Sequence, residues 1–334
     1  DGGGIRGLSE LVMIEEIMSR VQARLGLEKM PVPADYFDLI GGTSTGGLIA
    51  IMLGRLRMSV QEAIKAYSEL SEAIFGKTQS RFHEGKYDAK KFQRIIEDAV
   101  AEKLGHDQRQ AKLRTSEVQN CRSFVVTVSS ISVDVRLFRS YALPGIPEHD
   151  CTIGEAARAT CAAPTYFSSI EIGLPGQQER FFDGGVGCNN PISQLHLEAA
   201  RLFDDSDEVA CIVSLGTGFR HPIVLNRPTL LEKGTIPVNL IKAFKKMALD
   251  PEKEAEYMDR KYSGMEKVYF RLNVAQGLQD TKLADFEKLG SVRSATVAYL
   301  RSAAVSATID AIAARLCESK DAPTPSPLLG QVCE

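Results

Sequence analysis

A serine flanked by glycines lies between an apolar, strand-like stretch and an apolar, helix-like stretch, and this arrangement constrains the fold more than any other feature. The pentapeptide is Gly42-Thr43-Ser44-Thr45-Gly46, preceded by residues 36–40 (YFDLI) and followed by residues 47–53 (GLIAIML). Such a strand, sharp turn and helix present a serine hydroxyl at the strand tip, and small residues on each side leave room for the backbone to fold back. The helix N-terminus favours negative charge there. The pattern indicates a nucleophile for acyl transfer, and an incidental turn serine is the alternative.

The bulk composition is ordinary for a globular protein and excludes several function classes. The chain has 334 residues, of which 44% are hydrophobic and 25% charged, and a net charge of −3. That charge gives no support for nucleic-acid binding, and no apolar run is long enough for a transmembrane helix. The seven cysteines form no Cys-x-x-Cys pair, which argues against a disulfide framework and a zinc site. We expect a cytoplasmic protein with buried thiols and no cofactor or metal.

Helical and strand-like periodicities alternate along the chain, which predicts the α/β class. We expect a single three-layer α/β/α domain over residues 1–318 with a mostly parallel central sheet, and a proline-rich linker or tail over residues 319–334. The predicted helices cover residues 8–25, 59–74, 90–104, 152–160, 194–203 and 291–316. The predicted strands after the serine motif cover residues 123–128, 135–138, 209–215 and 267–274.

Three successive glycines precede the first predicted helix in Asp1-Gly2-Gly3-Gly4-Ile5-Arg6-Gly7. Glycines let the backbone N–H groups approach a ligand closely. The same residues satisfy Gly-x-Gly-x-x-Gly, so a dinucleotide-binding loop is an alternative. Against it, the required strand would lie before Asp1, and the acidic residue roughly twenty positions on, Glu28, follows a helix instead of a strand. We interpret the loop as a cradle for an oxyanion, and we expect the natural chain to continue before Asp1.

A carboxylate follows two phenylalanines in Phe181-Phe182-Asp183-Gly184-Gly185. In isolation this aspartate is best interpreted as part of a β-turn. The glycines also permit close approach, so Asp183 can meet Ser44 in space. Apolar surroundings raise the pKa of a carboxyl group and make it a stronger base for a hydroxyl proton, and the two phenylalanines suit such a site.

Taken together and in this order, the three motifs resemble those of the patatin-like phospholipases. Residues 156–167 (AARATCAAPTYF), residues 214–218 (SLGTG) and the strand around Phe270 are also similar to segments of that family. The resemblance extends over roughly residues 1 to 300. The sequence departs from the family pattern in one respect, because the strand expected before Asp1 is absent from it.

The resemblance implies a lipid acyl hydrolase of the phospholipase A type that acts in lipid degradation through a Ser–Asp dyad. Ser44 would be the nucleophile and Asp183 the general base, and the substrate would be a phospholipid or another acyl-ester lipid. The residues implied to form the oxyanion hole are Gly2, Gly3, Gly4 and Thr45. The residues implied to support the motifs are Arg6, Gly7, Gly42, Gly46, Gly184 and Gly185. Arg6 would hold the glycine loop, bind a lipid phosphate or form a structural salt bridge.

Two other functions remain open at the level of sequence. A Ser-His-Asp esterase of the α/β-hydrolase type would require His221, in a predicted loop, or His196, in a predicted helix. A low-turnover effector or signalling domain would be part of a larger protein, because the abrupt ends of the sequence suggest further domains. Labelling of Ser44 by an active-site probe discriminates catalysis from such a module.

A basic amphipathic segment suggests transient contact with a membrane surface. Residues 236–249 place apolar side chains at helical spacing together with Lys242, Lys245 and Lys246. A helix of this kind can lie on a lipid interface, although packing against the sheet is the commoner explanation.

Overall fold

The computed structural model of the protein describes residues 1–76, 85–116, 120–146, 150–219, 250–265, 267–318 and 327–333. The described α-helices are α1 (Leu8–Leu25), α2 (Thr45–Ala50), α3 (Val60–Phe75), α4 (Ala89–Leu104), α5 (Ile153–Thr160), α6 (Ile192–Leu202), α7 (Pro251–Lys261), α8 (Leu289–Leu300), α9 (Ala303–Cys317) and α10 (Leu329–Cys333). The described strands are β1 (Leu39–Thr43), β2 (Arg122–Ser129), β3 (Val135–Arg139), β4 (Ile170–Ile172), β5 (Glu179–Asp183), β6 (Ile212–Leu215) and β7 (Tyr269–Leu272).

Helices α3, α4, α5 and α9 each begin after a residue whose side chain caps the first turn. At α3, the Ser59 side chain accepts a hydrogen bond from the Glu62 N–H, and the Glu62 carboxylate accepts one from the Ser59 N–H. Thr152 and Glu155 form the same reciprocal cap at α5. The alanine-rich region that was predicted over residues 291–316 is divided into α8 and α9, because Ser302 is extended and caps a second helix.

The α/β class is confirmed, and strand β2 is the centre of the main sheet. All its residues from Ser123 to Ser129 are buried, so both faces of the sheet are covered, as in a three-layer arrangement. Helices α2 and α5 both contact β2. Helices α8 and α9 pack against α1. A large hydrophobic core extends from α1 to β7.

The strand pairing is more mixed than the sequence predicted. Strand β1 is parallel to β2, and β6 is parallel to β7. Strand β3 is antiparallel to β2, β5 is antiparallel to β2, and β4 is antiparallel to β5. The expected mostly parallel sheet is therefore wrong for these three pairs. For two of the pairs the reason is local, since short turns join β2 to β3 and β4 to β5, and a short turn can only connect antiparallel strands. No such turn joins β2 to β5, whose pairing is long-range.

Strands β1 and β5 share one edge of β2, and this determines where the active-site candidates lie. Strand β3 pairs with residues 124–128 of β2 and so occupies the opposite edge. On the shared edge, β1 pairs with residues 122–126 and β5 with residues 127–129. Because β1 is parallel and β5 antiparallel to β2, their carboxyl ends point at each other.

A cavity separates β1 from the β6–β7 pair. Its volume is about 110 Å³, and residues of β1, residues of β6 and Asp1 all line it.

Several predictions concern residues outside the described ranges. The basic amphipathic segment 236–249, His221 and most of the proline-rich stretch are among them, and the assignment of residues 1–318 to one domain stays a prediction. Among the described helices, none is by itself long and apolar enough to span a bilayer; the segments Phe286–Leu300 and Ala303–Cys317 meet that criterion only together, and a bend of 84° separates them.

The two phenylalanines of β5 allow a test of the core. Phe181 is fully buried and packs edge-to-face on Phe138, with ring centroids 5.0 Å apart, whereas Phe182 points to the other face and is half-buried. We expect Phe181→Ala to lower the free energy of unfolding by about 3–5 kcal/mol. Phe182→Ala is the matched control and should cost less than about 2 kcal/mol. Urea denaturation measures both, and equal losses would contradict the assignment of faces.

Candidate active site

The serine turn has the predicted conformation. Strand β1 ends at Thr43, Ser44 has φ 54° and ψ −122°, and α2 begins at Thr45. A positive φ at a residue with a side chain is strained and is typical of functional turns. The flanking glycines are required by space: a Cβ atom at Gly42 would lie 2.0 Å from the Gly46 carbonyl oxygen, and one at Gly46 would lie 2.5 Å from the Asp1 carbonyl oxygen.

Ser44 directly follows strand β1, and Asp183 is the last residue of strand β5. The two residues meet because these strands converge on adjacent residues of β2. Thr43 pairs with Val126, and Asp183 pairs with Thr127. The Ser44 hydroxyl donates a hydrogen bond of 2.7 Å to Asp183 Oδ2. The sequence predicted that these two residues would lie together, although it gave no information on the pairing that brings them together.

Burial sets the protonation behaviour of Asp183. The residue is 4% exposed, and this burial raises the pKa of its carboxyl group to about 6. The hydrogen bonds from the Ser44 hydroxyl and the Gly185 N–H lower that pKa, but their effect is smaller than that of burial. The Gly185 N–H donates to Oδ1 at 2.7 Å, which leaves Oδ2 facing Ser44. Gly184 is required because a Cβ atom there would lie 2.4 Å from the Val126 carbonyl oxygen.

Thr160 stabilises the strained serine and was not identified from the sequence. Its hydroxyl oxygen accepts a 2.9 Å hydrogen bond from the Ser44 N–H and donates a 2.6 Å bond to the Val126 carbonyl. The side chain is fully buried at the end of α5. The only sequence signal is its place in the segment 156–167, which resembles a family segment. The Ser44 N–H is therefore already engaged and is not offered to a ligand.

The glycine loop lies against the serine turn, but its N–H groups are not all open. The Gly2 N–H donates to the Asn189 carbonyl at 3.2 Å, and the Gly3 N–H donates to Thr45 Oγ1 at 3.1 Å. Within the described part of the chain, the N–H groups of Gly4 and Thr45 have no acceptor. Of the four donors that the resemblance implied, these two belong to residues that line the cavity and have no competing bond in this conformation. Gly4 adopts φ 57°, which favours glycine.

Arg6 and Gly7 support the loop from behind. Arg6 is 2% exposed, its Nε donates to the Gly3 carbonyl at 3.4 Å, and it does not line the main cavity. Three roles were predicted for Arg6, and these contacts favour the one in which its side chain holds the glycine loop in shape. A Cβ atom at Gly7 would lie 2.6 Å from the Tyr67 hydroxyl oxygen, and that hydroxyl donates to the Gly4 carbonyl. Gly7 thus makes room for the tyrosine that fixes Gly4.

An ion-pair network attaches Asp1 to the β6–β7 pair. Arg271 on β7 donates to both Asp1 carboxylate oxygens, at 3.2 and 2.7 Å, and to Ser214 Oγ at 2.9 Å. Its guanidinium also pairs with Glu252, which accepts a 2.8 Å bond from Asn273. The side chains of Asp1 and Arg271 are only 2% and 13% exposed. The sequence could not predict this network, because the partners are separated by most of the chain.

A cavity of about 290 Å³ opens beside the serine and the aspartate. At one end it is lined by the glycine loop, Ser44, Thr45 and Asp183. The remaining wall is predominantly apolar and comes from α2, α3, α4 and the segment after α5. Its apolar lining includes Leu48, Tyr67, Leu70, Ile74, Phe75, Phe92, Pro164, Tyr166, Phe167 and Leu283. A reactive polar end and an apolar wall suit a molecule that combines an ester with a hydrocarbon chain.

The described histidine that follows Asp183 lies elsewhere. His196 is buried on α6, and its Nδ1 forms a 2.7 Å hydrogen bond with the Tyr262 hydroxyl. It does not line the cavity that contains Ser44. The structure therefore brings Ser44 to an aspartate and does not place His196 with them; His221 lies outside the described residues.

The fold and this geometry define an α/β protein in which a serine at a strand-to-helix turn faces a buried carboxylate. The model of the patatin-like phospholipase family matches residues 1–196, and the chain belongs to that family. Human calcium-independent phospholipase A2-gamma is 30% identical over 258 residues, which are 72% of this chain and 30% of that protein. Patatin-like protein 2 of Arabidopsis thaliana is 33% identical over 204 residues, or 57% of this chain and 49% of that protein.

A solved structure is also similar. VipD of Legionella pneumophila aligns with a TM-score of 0.36 and 12% identity, over 90% of this chain and 65% of that chain. The chain spans about a third of the length of the calcium-independent phospholipase and about half that of the plant protein.

The raised pKa of Asp183 predicts that this residue costs stability at neutral pH. Its pKa is 3.8 ordinarily and about 6 in the folded protein, so the ionised form is disfavoured by folding. As the pH rises, the carboxyl group ionises in the unfolded chain before it does so in the folded protein. The free energy of unfolding therefore falls as the pH rises between these two pKa values. Asp183→Asn removes this penalty and can keep both hydrogen bonds. We expect the free energy of unfolding of the variant, relative to that of wild type, to increase by up to about 3 kcal/mol as the pH rises from 4 to 7.

Urea denaturation at pH 4 and pH 7 measures this gain. Ser44→Ala is the control: it leaves the carboxyl group buried and removes a hydrogen bond that lowers its pKa, so its stability should fall with rising pH at least as much as that of wild type. A stability difference between Asp183→Asn and wild type that does not change with pH would contradict the interpretation.

Proposed function

We propose that the chain is a lipid acyl hydrolase of the phospholipase A type, with Ser44 as nucleophile and Asp183 as general base. The observation that carries this proposal is the 2.7 Å hydrogen bond from the Ser44 hydroxyl to the buried Asp183 carboxylate, at the polar end of a largely apolar cavity. Membership of the patatin-like phospholipase family and the phospholipase A2 activity in the name of a relative support the substrate class.

The first half of the reaction acylates the serine. Ser44 Oγ attacks the ester carbonyl carbon while its proton passes to Asp183 Oδ2, and the carbonyl oxygen takes up the negative charge. The bond to the alcohol then breaks, and the departing lysolipid or other alcohol takes the proton from Asp183. A carboxylate with a pKa of about 6 is better matched to this proton transfer than an exposed aspartate, and it is still mostly ionised at neutral pH.

The second half releases the fatty acid. Asp183 accepts a proton from a water molecule, whose oxygen attacks the acyl carbon. The carbon–oxygen bond to Ser44 breaks, and the serine regains its proton from Asp183. Both halves use the same carboxylate, because it alternates between base and acid at one position.

The Gly4 and Thr45 N–H groups are the donors that we assign to the oxyanion. Both residues line the cavity beside Ser44, and Thr45 is at the N-terminus of α2, where the helix dipole favours negative charge. Removing one such donor typically costs a hundredfold or more in rate. The Gly2 and Gly3 N–H groups fix the loop through Asn189 and Thr45.

The apolar wall is assigned to the acyl chain. Leu70, Ile74 and Phe75 on α3 and Phe92 on α4 line the part of the cavity formed by the two helices. Phe75 and Phe92 both pack against Phe167, with ring centroids 6.3 and 5.3 Å apart. Burying apolar chain against such a surface gives roughly 0.8 kcal/mol per methylene group, so binding favours a fatty-acyl group over a short one.

We expect Ser44→Ala and Asp183→Asn each to lower kcat/KM for ester hydrolysis by at least about a thousandfold, because both half-reactions use the Ser44 oxygen and the Asp183 carboxylate. For the wild type, kcat/KM should rise tenfold per pH unit below about 6 and level off above, as Asp183 ionises. Hydrolysis of p-nitrophenyl butyrate and phosphatidylcholine vesicles, measured from pH 4.5 to 8.5, tests both statements.

His221→Ala is the control for a triad, and a fluorophosphonate probe is the control for a low-turnover module. We expect His221→Ala to retain activity and the probe to label folded wild type but not Ser44→Ala. Loss of activity with His221→Ala and retention with Asp183→Asn would favour the triad, and absence of labelling at Ser44 would exclude the hydrolase.

A further inference from the structure

Three aliphatic side chains on two neighbouring turns are the most exposed large hydrophobic side chains in the described ranges. Ile131 is 78% exposed, Val133 is 73% exposed and Leu174 is 70% exposed. Ile131 and Val133 belong to the turn 130–134 between β2 and β3. Leu174 belongs to the turn 173–178 between β4 and β5. We call these three side chains the tip patch.

The two turns lie side by side at one end of the sheet. Strand β2 is adjacent to β5, and they are antiparallel, so the carboxyl end of β2 lies beside the amino end of β5. The Ser130 N–H donates to the Arg180 carbonyl at 2.9 Å, which ties the first turn to the start of β5. With a strand spacing of 4.7–4.9 Å, the two hairpins are about 10 Å apart.

Each turn is held by its own backbone hydrogen bonds. The Val133 N–H donates to the Ser129 carbonyl at 3.1 Å, and the Gln177 N–H donates to the Leu174 carbonyl at 2.9 Å. Val133 has φ 56°, a conformation that is unfavourable for a β-branched residue. Packing within the chain does not explain this strain, because the side chain that it directs outward is mostly in solvent.

The tip patch is at the same end of the sheet as the serine. Strand β1 is parallel to β2 and ends where Thr43 pairs with Val126, so the first turn continues beyond the level of Ser44. The wall of the main cavity also touches the base of this hairpin: Val186 lines the cavity, and a Cβ atom at the adjoining Gly187 would lie 3.3 Å from Val128 and 3.6 Å from Val135. The first hairpin thus lies beside the segment that lines the cavity, and both hairpins are at the end of the sheet where Ser44 lies.

The charge of the turns indicates which kind of surface they fit. Segments 129–135 and 173–178 contain a single charged residue, Asp134, in a chain that is 25% charged. The remaining polar residues are serine and glutamine. Beside the turns, the Arg136 guanidinium donates to Ser132 Oγ at 3.3 Å and the exposed Arg180 pairs with Glu171, so the charges are of both signs and form no basic cluster that would favour anionic headgroups. The apolar side chains can therefore enter an uncharged or zwitterionic interface at little electrostatic cost.

We propose that the tip patch is a lipid-docking surface, in which Ile131, Val133 and Leu174 insert into the interface of a zwitterionic phospholipid membrane and hold the mouth of the Ser44 cavity at that membrane. The proposal rests on the proposed function for its substrate, since a lipid ester in a bilayer must reach Ser44 without crossing water. The patch lies at the same end of the sheet as Ser44, and such docking accounts for the exposed aliphatic side chains there.

The absence of tryptophan from the sequence allows a direct test of insertion. Leu174→Trp places a single fluorophore in the tip patch, and Leu25→Trp, at the C-terminal end of α1, is the matched control with a side chain that is also exposed. Both are made in the Ser44→Ala background so that the lipid is not consumed. With phosphatidylcholine vesicles we expect a blue shift and quenching by brominated acyl chains for Leu174→Trp, and neither for Leu25→Trp.

A triple variant tests the consequence for turnover. We expect Ile131→Ser/Val133→Ser/Leu174→Ser to bind vesicles at least about tenfold more weakly, because each side chain loses its apolar contact with lipid. Hydrolysis of vesicle phosphatidylcholine should fall with binding, whereas hydrolysis of monomeric p-nitrophenyl butyrate and the melting temperature should be unchanged. Leu25→Ser/Leu27→Ser is the matched surface control and should bind vesicles as wild type does.

The outcomes that overturn the proposal are distinct from those that overturn the function. Unchanged vesicle binding by the triple variant, or an unshifted Leu174→Trp spectrum, would exclude docking through the tip patch. Dissociation of a wild-type oligomer by the triple variant in analytical ultracentrifugation would assign the patch to a second copy of the chain instead. Retained ester hydrolysis by Ser44→Ala would overturn the proposed function, while the binding measurements would still decide the docking.

Discussion

The site depends on one constraint, which is that β1 and β5 share a single edge of β2 and meet at adjacent residues. Val126 is the point of contact: it pairs with Thr43, its carbonyl accepts the Thr160 hydroxyl that holds Ser44, and it leaves space only for glycine at position 184. A shift of either strand by one residue would turn the side chains to the opposite face and separate the serine from the carboxylate. The geometry is therefore a property of the sheet register, and the loops only complete it.

The same burial gives Asp183 its chemistry and makes it unfavourable for stability. An ionised carboxylate removed from water is destabilised unless it is fully compensated, and here two hydrogen-bond donors compensate it only in part. The result is a carboxyl group with a pKa of about 6, close enough to neutral pH for the proposed role of a base that accepts and returns a proton. A third strong donor would increase stability but would also lower the pKa and weaken the base. The proposed Ser–Asp dyad, which has no histidine, therefore requires a carboxylate whose loss of hydration is only partly offset by hydrogen bonds.

The sequence was sufficient for features that depend on nearby residues. The serine turn and the glycines around it follow from local sterics, and the structure confirms the turn. The sequence was insufficient for features set by long-range pairing. The antiparallel pairing of β5 with β2, the contact of Thr160 with Ser44 and the pairing of Arg271 with Asp1 join segments that are far apart along the chain, and no local pattern connects them. The dyad was an intermediate case, because the family resemblance connected two motifs that local chemistry alone could not connect.

Residues beyond the segment matched by the family model close the glycine loop. Thr217 donates to the Gly2 carbonyl at 3.2 Å, and the Leu283 carbonyl accepts from the Ile5 N–H at 2.9 Å. Arg271 holds Asp1 at the start of the loop. Because a flexible glycine segment has no preferred shape of its own, its donors are oriented only as far as its neighbours restrain it. The proposed nucleophile and base thus lie within residues 1–196, whereas the orientation of the proposed oxyanion donors depends on packing against residues that follow this segment.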